Sequence, residues 1–378
     1  MKAASFIARK LRFSGRLAMV ATALSFFVIV LSISVSSGFR YEIRKGLSDI
    51  SGDIMLKGSS EPVDTRPSYY DKMLEVKGIK SIEPVIWKPA IVKGEDDICG
   101  VLVKGVPMPD SCSLSANIPL TLAKRLKLSE GDSFITYFVE DKVRARRFTV
   151  AGTYEGIMDS DGSMIITVPL SDMQRLCSWE ADQASALEVK LDPSYAPSAS
   201  SLAEHLYLIS IGNHLEDEDI LRAETARRRY PQLFDWLDLI DFNVLAIILL
   251  MTVVAGFNMI SGLLILLFRN ISTIGTLKSL GMSNKSIASV FMRVASRIVL
   301  AGMLAGNGAA LLFCAIQGAT HLIKLNPANY FVSFVPVHID LPLILAANAA
   351  AFGVILLLML IPTLFIAKVD PAQTVKVK

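Results

Sequence analysis

The stretch ISTIGTLKSLGMSNKSI, residues 271–287, lies between two long apolar runs, and its reading decides how the rest of the chain is read. Asn270 or Ser272 can start a short helix. Ile274, Leu277 and Gly281 recur at i, i+3 and i+7 on one face, and Gly281 suits the left-handed residue that ends such a helix. Ser283 then caps a second helix, in which Ile287, Val290, Phe291 and Val294 keep the helical period. A few polar residues would suffice to turn between two apolar segments, so a short helix with its own start and stop is an elbow. A helix of this kind can seat in a groove of a soluble partner and move both flanking segments as one lever. The plainer alternative is a connector that touches only lipid headgroups.

Outward from the elbow, the composition is that of a membrane protein. The 378 residues are 52% hydrophobic and 19% charged, with a mean hydropathy of +0.48. The apolar residues gather in charge-free runs at 17–37, 242–268, 298–320 and 341–367, each of which has the roughly 20 residues needed to cross about 30 Å of hydrocarbon. The expected division is a tail (1–16), span one (17–37), an outer domain (38–238), span two (239–268), the elbow (269–288), span three (289–320), a loop (321–340), span four (341–367) and a tail (368–378). Cationic flanks stay in the cytoplasm. Lys2, Arg9, Lys10, Arg12 and Arg16, then Arg269, Lys278, Lys285, Arg293 and Arg297 between the second and third apolar runs, and the final Lys368, Lys376 and Lys378 therefore place both termini and the elbow inside. Residues 38–238 and the loop holding Lys324 then lie outside. A cleaved signal peptide, with SVSSG (residues 34–38) as its site, is the rival reading of the first run; the run's length favours a retained helix. The formal net charge of +3 reports this topology, and no basic, aromatic surface points to nucleic acid.

The outer domain reads as an α+β module. Strands are expected at 52–58, 98–106, 132–140, 146–155 and 163–169, where short runs rich in β-branched and aromatic residues are bounded by Gly, Pro or Asp. Helices are expected at 69–76, at 120–126 and after Ser201, whose spacing to Glu204 fits a capping box. The linker LDPSYAPSASS (191–201) suggests two lobes, the outer one inserted in the sequence of the other. A stalk helix near 231–241, with Pro231 in its first turn, would continue into span two. It carries Asp235, Asp238 and Asp241 at every third residue, and Trp236 near the membrane surface. His205 and His214 have no metal-ligand spacing, and no nucleophile motif occurs. The acidic run 216–219 reads as a solvated loop. Cys99, Cys112 and Cys177 imply no disulfide framework, although a Cys99–Cys112 pair is open. In the spans, GMLAG (residues 302–306) offers a small-residue face, and Asn258, Asn307 and Asn348 should bond across helices.

FNMISGLLILLFRNISTIGTLKSLGMSNKSIASVFM (257–292), SSGFRYEIRKGLSDISGDIMLKG (36–58), LIKLNPANYFVSFVPVHI (322–339) and IPTLFIAKVDPAQTVK (361–376) together resemble the FtsX-like, MacB-type (type VII) ABC transporter permeases, most of all the lipoprotein-releasing LolC/LolE type. The resemblance implies an α-helical membrane protein with four transmembrane helices and a large extracytoplasmic α+β domain, two-lobed and MacB-like, between helices one and two. It implies a permease subunit in the bacterial inner membrane that is not itself an enzyme. Such a subunit dimerises with an identical or paralogous second permease chain and works with a cytoplasmic, LolD-like ABC ATPase. Lipoproteins would leave the membrane for a periplasmic carrier. No Gly-x-x-x-x-Gly-Lys-Ser/Thr loop occurs, so no cofactor is expected on this chain, and ATP with Mg would be used by the partner. Carried over by position, Ile274, Gly275, Leu277, Lys278, Leu280, Gly281 and Met282 would contact the ATPase. Arg269 departs from the acidic residue common there in relatives. In span two, Leu249, Met251, Val254, Phe257 and Met259 would wall a cavity for acyl chains. The resemblance leaves two alternatives: a MacB-like efflux permease, and an FtsX-like signalling protein controlling a cell-wall hydrolase.

Overall fold

Phe39, Ile43, Leu47 and Ser51 follow one another at i+4 and are all buried, and the first helix accordingly runs far past its apolar run, as α1 (Arg16–Ser51). Gly52, at φ +63°, ends it, with its N–H donating to the Ser48 carbonyl at 3.1 Å. Hydropathy alone ends this helix near residue 37; a repeat of i, i+4 apolar residues keeps it helical beyond that point. The computed structural model describes residues 16–94, 98–109, 112–139, 143–154, 164–216, 218–326, 330 and 332–364. Both expected tails, apart from Arg16, and the end of span four past residue 364 lie outside the described residues, as do Asp217 of the acidic run and the ends of three expected strands.

The chain folds as two compact units, one made of the residues up to Tyr41, Leu237–Leu325 and those from Ser333 on, the other of Glu42–Trp236 with Asn326–Val332. The second unit is built on a sheet that joins β1 (Ile54–Lys57), β3 (Ile79–Lys93), β4 (Ile98–Val106), β5 (Ser115–Pro119), β6 (Ser133–Val139), β7 (Val143–Tyr154), β8 (Met164–Pro169), β10 (Ala186–Leu191) and β11 (Arg222–Thr225), while β2 (Val63–Asp64) pairs β9 (Gln183–Ala184) apart from it. The order is β11-β1-β10-β3-β4-β8-β5-β7-β6, and β6 returns to pair with β3, which closes six strands into a barrel. Phe134, Phe138, Phe148, Ile118, Val150 and Ile166 fill it. A second core under the open strands gathers Ile54, Leu56, Ile82, Leu187 and Val189 with Tyr69, Met73 and Leu206, from the sheet, α2 (Tyr70–Leu74) and α5 (Ala199–Asn213). Two further helices, α3 (Leu120–Leu126) and α4 (Leu170–Cys177), follow β5 and β8 directly.

The sequence suggests two lobes split at the linker; in the structure β3 runs through both parts of the sheet. Its first half pairs with β10, from Ile79 to Val85, and its second half with β4, from Ile86 to Lys93. Pro84 and Pro89 hide this strand from a sequence reading, since proline cannot donate to a ladder. Both sit where β3 has a single neighbour: Pro84 opposite Leu187 of β10, Pro89 opposite Leu102 of β4 and before the β6 pairing begins at Ala90. Two other expectations are corrected. Helix α5 starts at Ala199 behind Ser198, with no side-chain cap bond, so Ser201 and Glu204 lie inside the helix and form no capping box. Cys99 is buried in the barrel core and none of the four cysteines forms a disulfide, which removes the Cys99–Cys112 pair.

The first unit is helical. Beside α1 stand α7 (Pro231–Arg269), α8 (Ile271–Ser279), α9 (Asn284–Thr320), α10 (Leu341–Leu358) and α11 (Leu360–Thr363), and between α5 and α7 the second unit ends in α6 (Ala226–Arg229). Among the described residues four helices are long and apolar enough to cross a membrane, and the chain is a multi-pass membrane protein. One helix, α7, covers both the stalk and span two. Helix four breaks at Met359, four residues after Ile355 and three before Pro362, whose ring opposes the carbonyl of Leu358. Phe26, Ile29 and Ile33 of α1, Met259, Leu263 and Leu266 of α7, Val290, Phe291 and Val294 of α9 and Ile344, Ala351 and Ile355 of α10 form one core. The GMLAG face is used within the chain: a Cβ on Gly302 would lie 2.9 Å from the Met19 carbonyl, and one on Gly306 would collide with the carbonyl of Ala23, so α9 packs backbone to backbone on α1. The side-chain oxygens of Asn307 and Asn348 are buried without a hydrogen-bond partner among the described residues.

Candidate functional site

The elbow has the geometry that its sequence prescribes. Helix α7 stops at Arg269, and after the single residue Asn270 the nine-residue α8 begins. Asn270 stands at the cap position, but its side-chain amide donates to the Leu266 carbonyl at 2.8 Å and does not accept from α8. At the other end, Met282 N–H donates to the Leu277 carbonyl at 3.0 Å and Gly281 N–H to the Lys278 carbonyl at 2.9 Å. These bonds span five and three residues, the Schellman pair, and Gly281 takes the left-handed conformation it needs, at φ +81°. Ser283 opens α9 by accepting from Ser286 N–H.

The elbow's two sides differ. Ile274 is 1% exposed and joins the core of the helical unit, against which Leu277 and Met282 also pack. Gly275 is buried beneath the same side, and Lys278 is half-buried. Leu280 is 79% exposed and Gly281 open. Of the seven residues expected to meet an ATPase, Ile274 and Gly275 thus anchor α8 to its own bundle, and Leu280 with Gly281 forms the free tip. Phe268 and Ile271, both exposed, stand at the opposite end of the elbow and were not singled out in the sequence. Their signal was size and apolarity outside the i, i+3, i+7 stripe.

Span two divides in the same way. Leu249, Val254 and Phe257 are exposed, at 65%, 40% and 64%, while Met259 is 1% exposed and Met251 half-buried against the core. Met259 is therefore removed from the expected cavity wall: its offset from Leu249 is about 2.8 helical turns, which rotates it roughly 80° away and into the bundle. The outward face of α7 also carries Phe242, Leu245 and Leu250. Above it, two of the stalk's three aspartates find their partner on α1. Arg40 pairs with Asp241 and, at 3.7 Å, with Asp238, and Ser36 Oγ donates to Asp241 at 2.5 Å. The loop between spans three and four lies on α1 at the same level, with His338 N–H donating to the Ser34 carbonyl at 2.9 Å and its ring stacked on Tyr41.

In the second unit the sequence missed one polar group of note, Lys104 with Glu188, 2.6 Å apart and nearly inaccessible. Burial lowers the Lys104 pKa, and Glu188 opposes that shift. A lone Lys in ICGVLVKGV and a lone Glu in ALEVKL were the available signals. Glu218, in the acidic run, is pushed up by burial, but hydrogen bonds from the hydroxyl and N–H of Ser68 and from Leu215 N–H outweigh this and lower its pKa. His205 and His214 are both exposed at the surface of the second unit.

Residues 245–371 match the family model described as "FtsX-like permease C-terminal". Over almost its whole length the chain is similar to lipoprotein-releasing system transmembrane proteins: LolC of Xylella fastidiosa, 24% identical over 96% of this chain and 94% of that one, LolE of Haemophilus influenzae, 23% identical over 95% and 93%, and LolC of Neisseria meningitidis, 24% identical over 94% and 92%. Among solved structures, the extracellular domain of the noncanonic ABC-type transporter YknZ from Gram-positive bacteria matches 46% of this chain and 100% of its own, at 14% identity and a TM-score of 0.30. The periplasmic region of MacB from Actinobacillus actinomycetemcomitans matches 52% and 98%, at 12% identity and a TM-score of 0.31. The resemblance to FtsX-like permeases and to LolC and LolE is thus borne out by family model and by relatives along the chain.

Proposed function

We propose that this chain is the membrane subunit of an ABC transporter of the lipoprotein-releasing type, in which a separate ATPase drives extraction of lipoproteins for transfer to a soluble carrier. One observation carries the reading: the two longest spans are joined by a capped helix whose inner face is fixed in the bundle while Leu280 stands free at its tip. A helix so held is a handle, since a push on the tip passes through Ile274 to the core and through Asn270 and Ser283 to both spans. The end-to-end similarity to LolC and LolE supports the choice of cargo. The elbow and termini are cytoplasmic, and residues 38–238 face the periplasm across the inner membrane. A second permease chain faces the first, and the outward surface of α7 around Leu249, Val254 and Phe257 borders the space that receives acyl chains or the neighbouring chain.

The function is tested by reconstituting the chain with the ABC ATPase that copurifies with it in proteoliposomes with a labelled triacylated lipopeptide and a soluble acceptor. ATP-dependent appearance of the lipopeptide in the soluble fraction is expected. ATP hydrolysis with no such transfer would exclude lipoprotein release. The handle is tested by Leu280→Asp, which should leave the chain folded and abolish copurification of the ATPase; undiminished copurification would exclude the tip as the docking point.

A further inference from the structure

Where α1 ends, four elements meet on a buried polar junction. Lys104 Nζ, from β4, donates to the Ile50 carbonyl at 2.5 Å and to Glu188 of β10 at 2.6 Å. Trp87 of β3 donates its indole N–H to the other Glu188 oxygen at 3.1 Å. Arg229 Nη2, two residues before α7 begins, donates to the Ser51 carbonyl at 2.6 Å and to the Gly52 carbonyl at 3.2 Å. Asp53 completes the ring: its carboxylate accepts from Leu191 N–H at 2.9 Å, its N–H donates to the Val189 carbonyl at 3.0 Å, and its own carbonyl accepts from Ala226 N–H at 3.0 Å. Gly52 passes so close to β10 that a Cβ there would meet Glu188 Cβ at 3.2 Å.

Burial of an ion pair is a poor source of stability. Its desolvation cost rivals the attraction, and an apolar pair of similar volume often serves the fold as well or better. The surroundings would suit such a pair, since Met55, Val85, Ala186, Trp87 and Val106 pack together beside it. What the charges supply is direction. The last carbonyls of a helix are unpaired and carry its negative end, and here two cations from different elements hold three of them at fixed angles. Apolar contacts would let the helix end slide or turn; charge-assisted hydrogen bonds do not.

We propose that Lys104 and Glu188, with Arg229, are positioning residues that join the end of α1, the segment leading into α7, the open sheet and the barrel into one joint, so that helix movement reaches the barrel without slip. This rests on the coupling function above and adds to it the residues that carry the stroke.

The test uses the full chain with its ATPase in the same proteoliposomes, comparing wild type with Lys104→Met/Glu188→Leu. The double variant should melt close to wild type and hydrolyse ATP, yet release roughly tenfold less lipopeptide per ATP, the scale at which coupling residues act. Equal release per ATP would overturn the joint, because a pair that only holds the fold would leave this ratio alone. If wild type hydrolyses ATP without release, the functional reading fails instead. In that case, or if the double variant does not fold, hydrogen exchange of the wild-type chain decides: the amides of Asp53, Leu191 and Ala226 should open together with a single free energy. Separate opening of the three would overturn the proposal.

Discussion

Single residues here act through space, through backbone conformation or through charge, and each has its own test. Gly281 and Gly306 make the contrast. A Cβ on Gly281 would meet nothing, so Gly281→Ala should cost only the strain of a left-handed residue, about 1 kcal/mol, with the bundle otherwise intact. A Cβ on Gly306 would strike the backbone of α1, and Gly306→Val should lower the thermal stability of the detergent-purified chain by about 1–3 kcal/mol or more. Lys104→Met alone should be worse than the double replacement, at about 3–5 kcal/mol, since it leaves Glu188 charged, buried and unpaired. Glu218 sets an acid limit. Its folded pKa is lowered from a reference of 4.5, so its contribution is full above that value and lost as pH falls through the folded one. Glu218→Gln should therefore destabilise the chain at neutral pH, and the difference from wild type should vanish toward strongly acid pH in melts followed by near-ultraviolet circular dichroism.

At the scale of elements, periodicity predicts the helices well and the strands unevenly. The elbow is legible because start, stop and phase all lie within one short stretch, and Ser283, Gly281 and the bonds of Leu277 and Lys278 are local. Which of its faces turns inward is not legible, because the pattern i, i+3, i+7 marks a stripe without saying what covers it. Ile274 proves to be an anchor. Ile274→Ala should accordingly cost about 2–5 kcal/mol of bundle stability, measured by thermal unfolding in detergent, whereas Leu280→Asp should leave melting unchanged. Strand β3 escapes notice for the opposite reason. Pro84 and Pro89 break the sequence signal, and only the arrangement of its neighbours shows why both are tolerated.

For the molecule as a whole, the proposed topology puts the mixed unit and the elbow in different compartments, because one span lies between them along the chain. In a chain freed of its four cysteines, a cysteine at Leu208, 60% exposed on α5, and one at Leu280, 79% exposed, should react with an impermeant maleimide from opposite sides of the membrane. Labelling of both from one side would overturn that topology and with it any action of a cytoplasmic motor. Arg40 belongs to the same scale, because its partners are 198 and 201 residues away along the chain (238 − 40 and 241 − 40). The aspartates at every third position are visible in the sequence, and their counterion is not.

By itself the sequence determined the four spans, the capped elbow and the outline of an α+β module between the first two spans. Those features follow from hydrophobic run length, local capping chemistry and short-range periodicity, which a linear reading contains in full. Tertiary structure decided the closure of the barrel through β3, the burial of Met259 and Ile274, the pairing of Arg40 and the junction of Lys104 with Glu188. Each of these depends on which distant residue comes to lie opposite, and charge, phase and proline carry no information about that until the chain has folded.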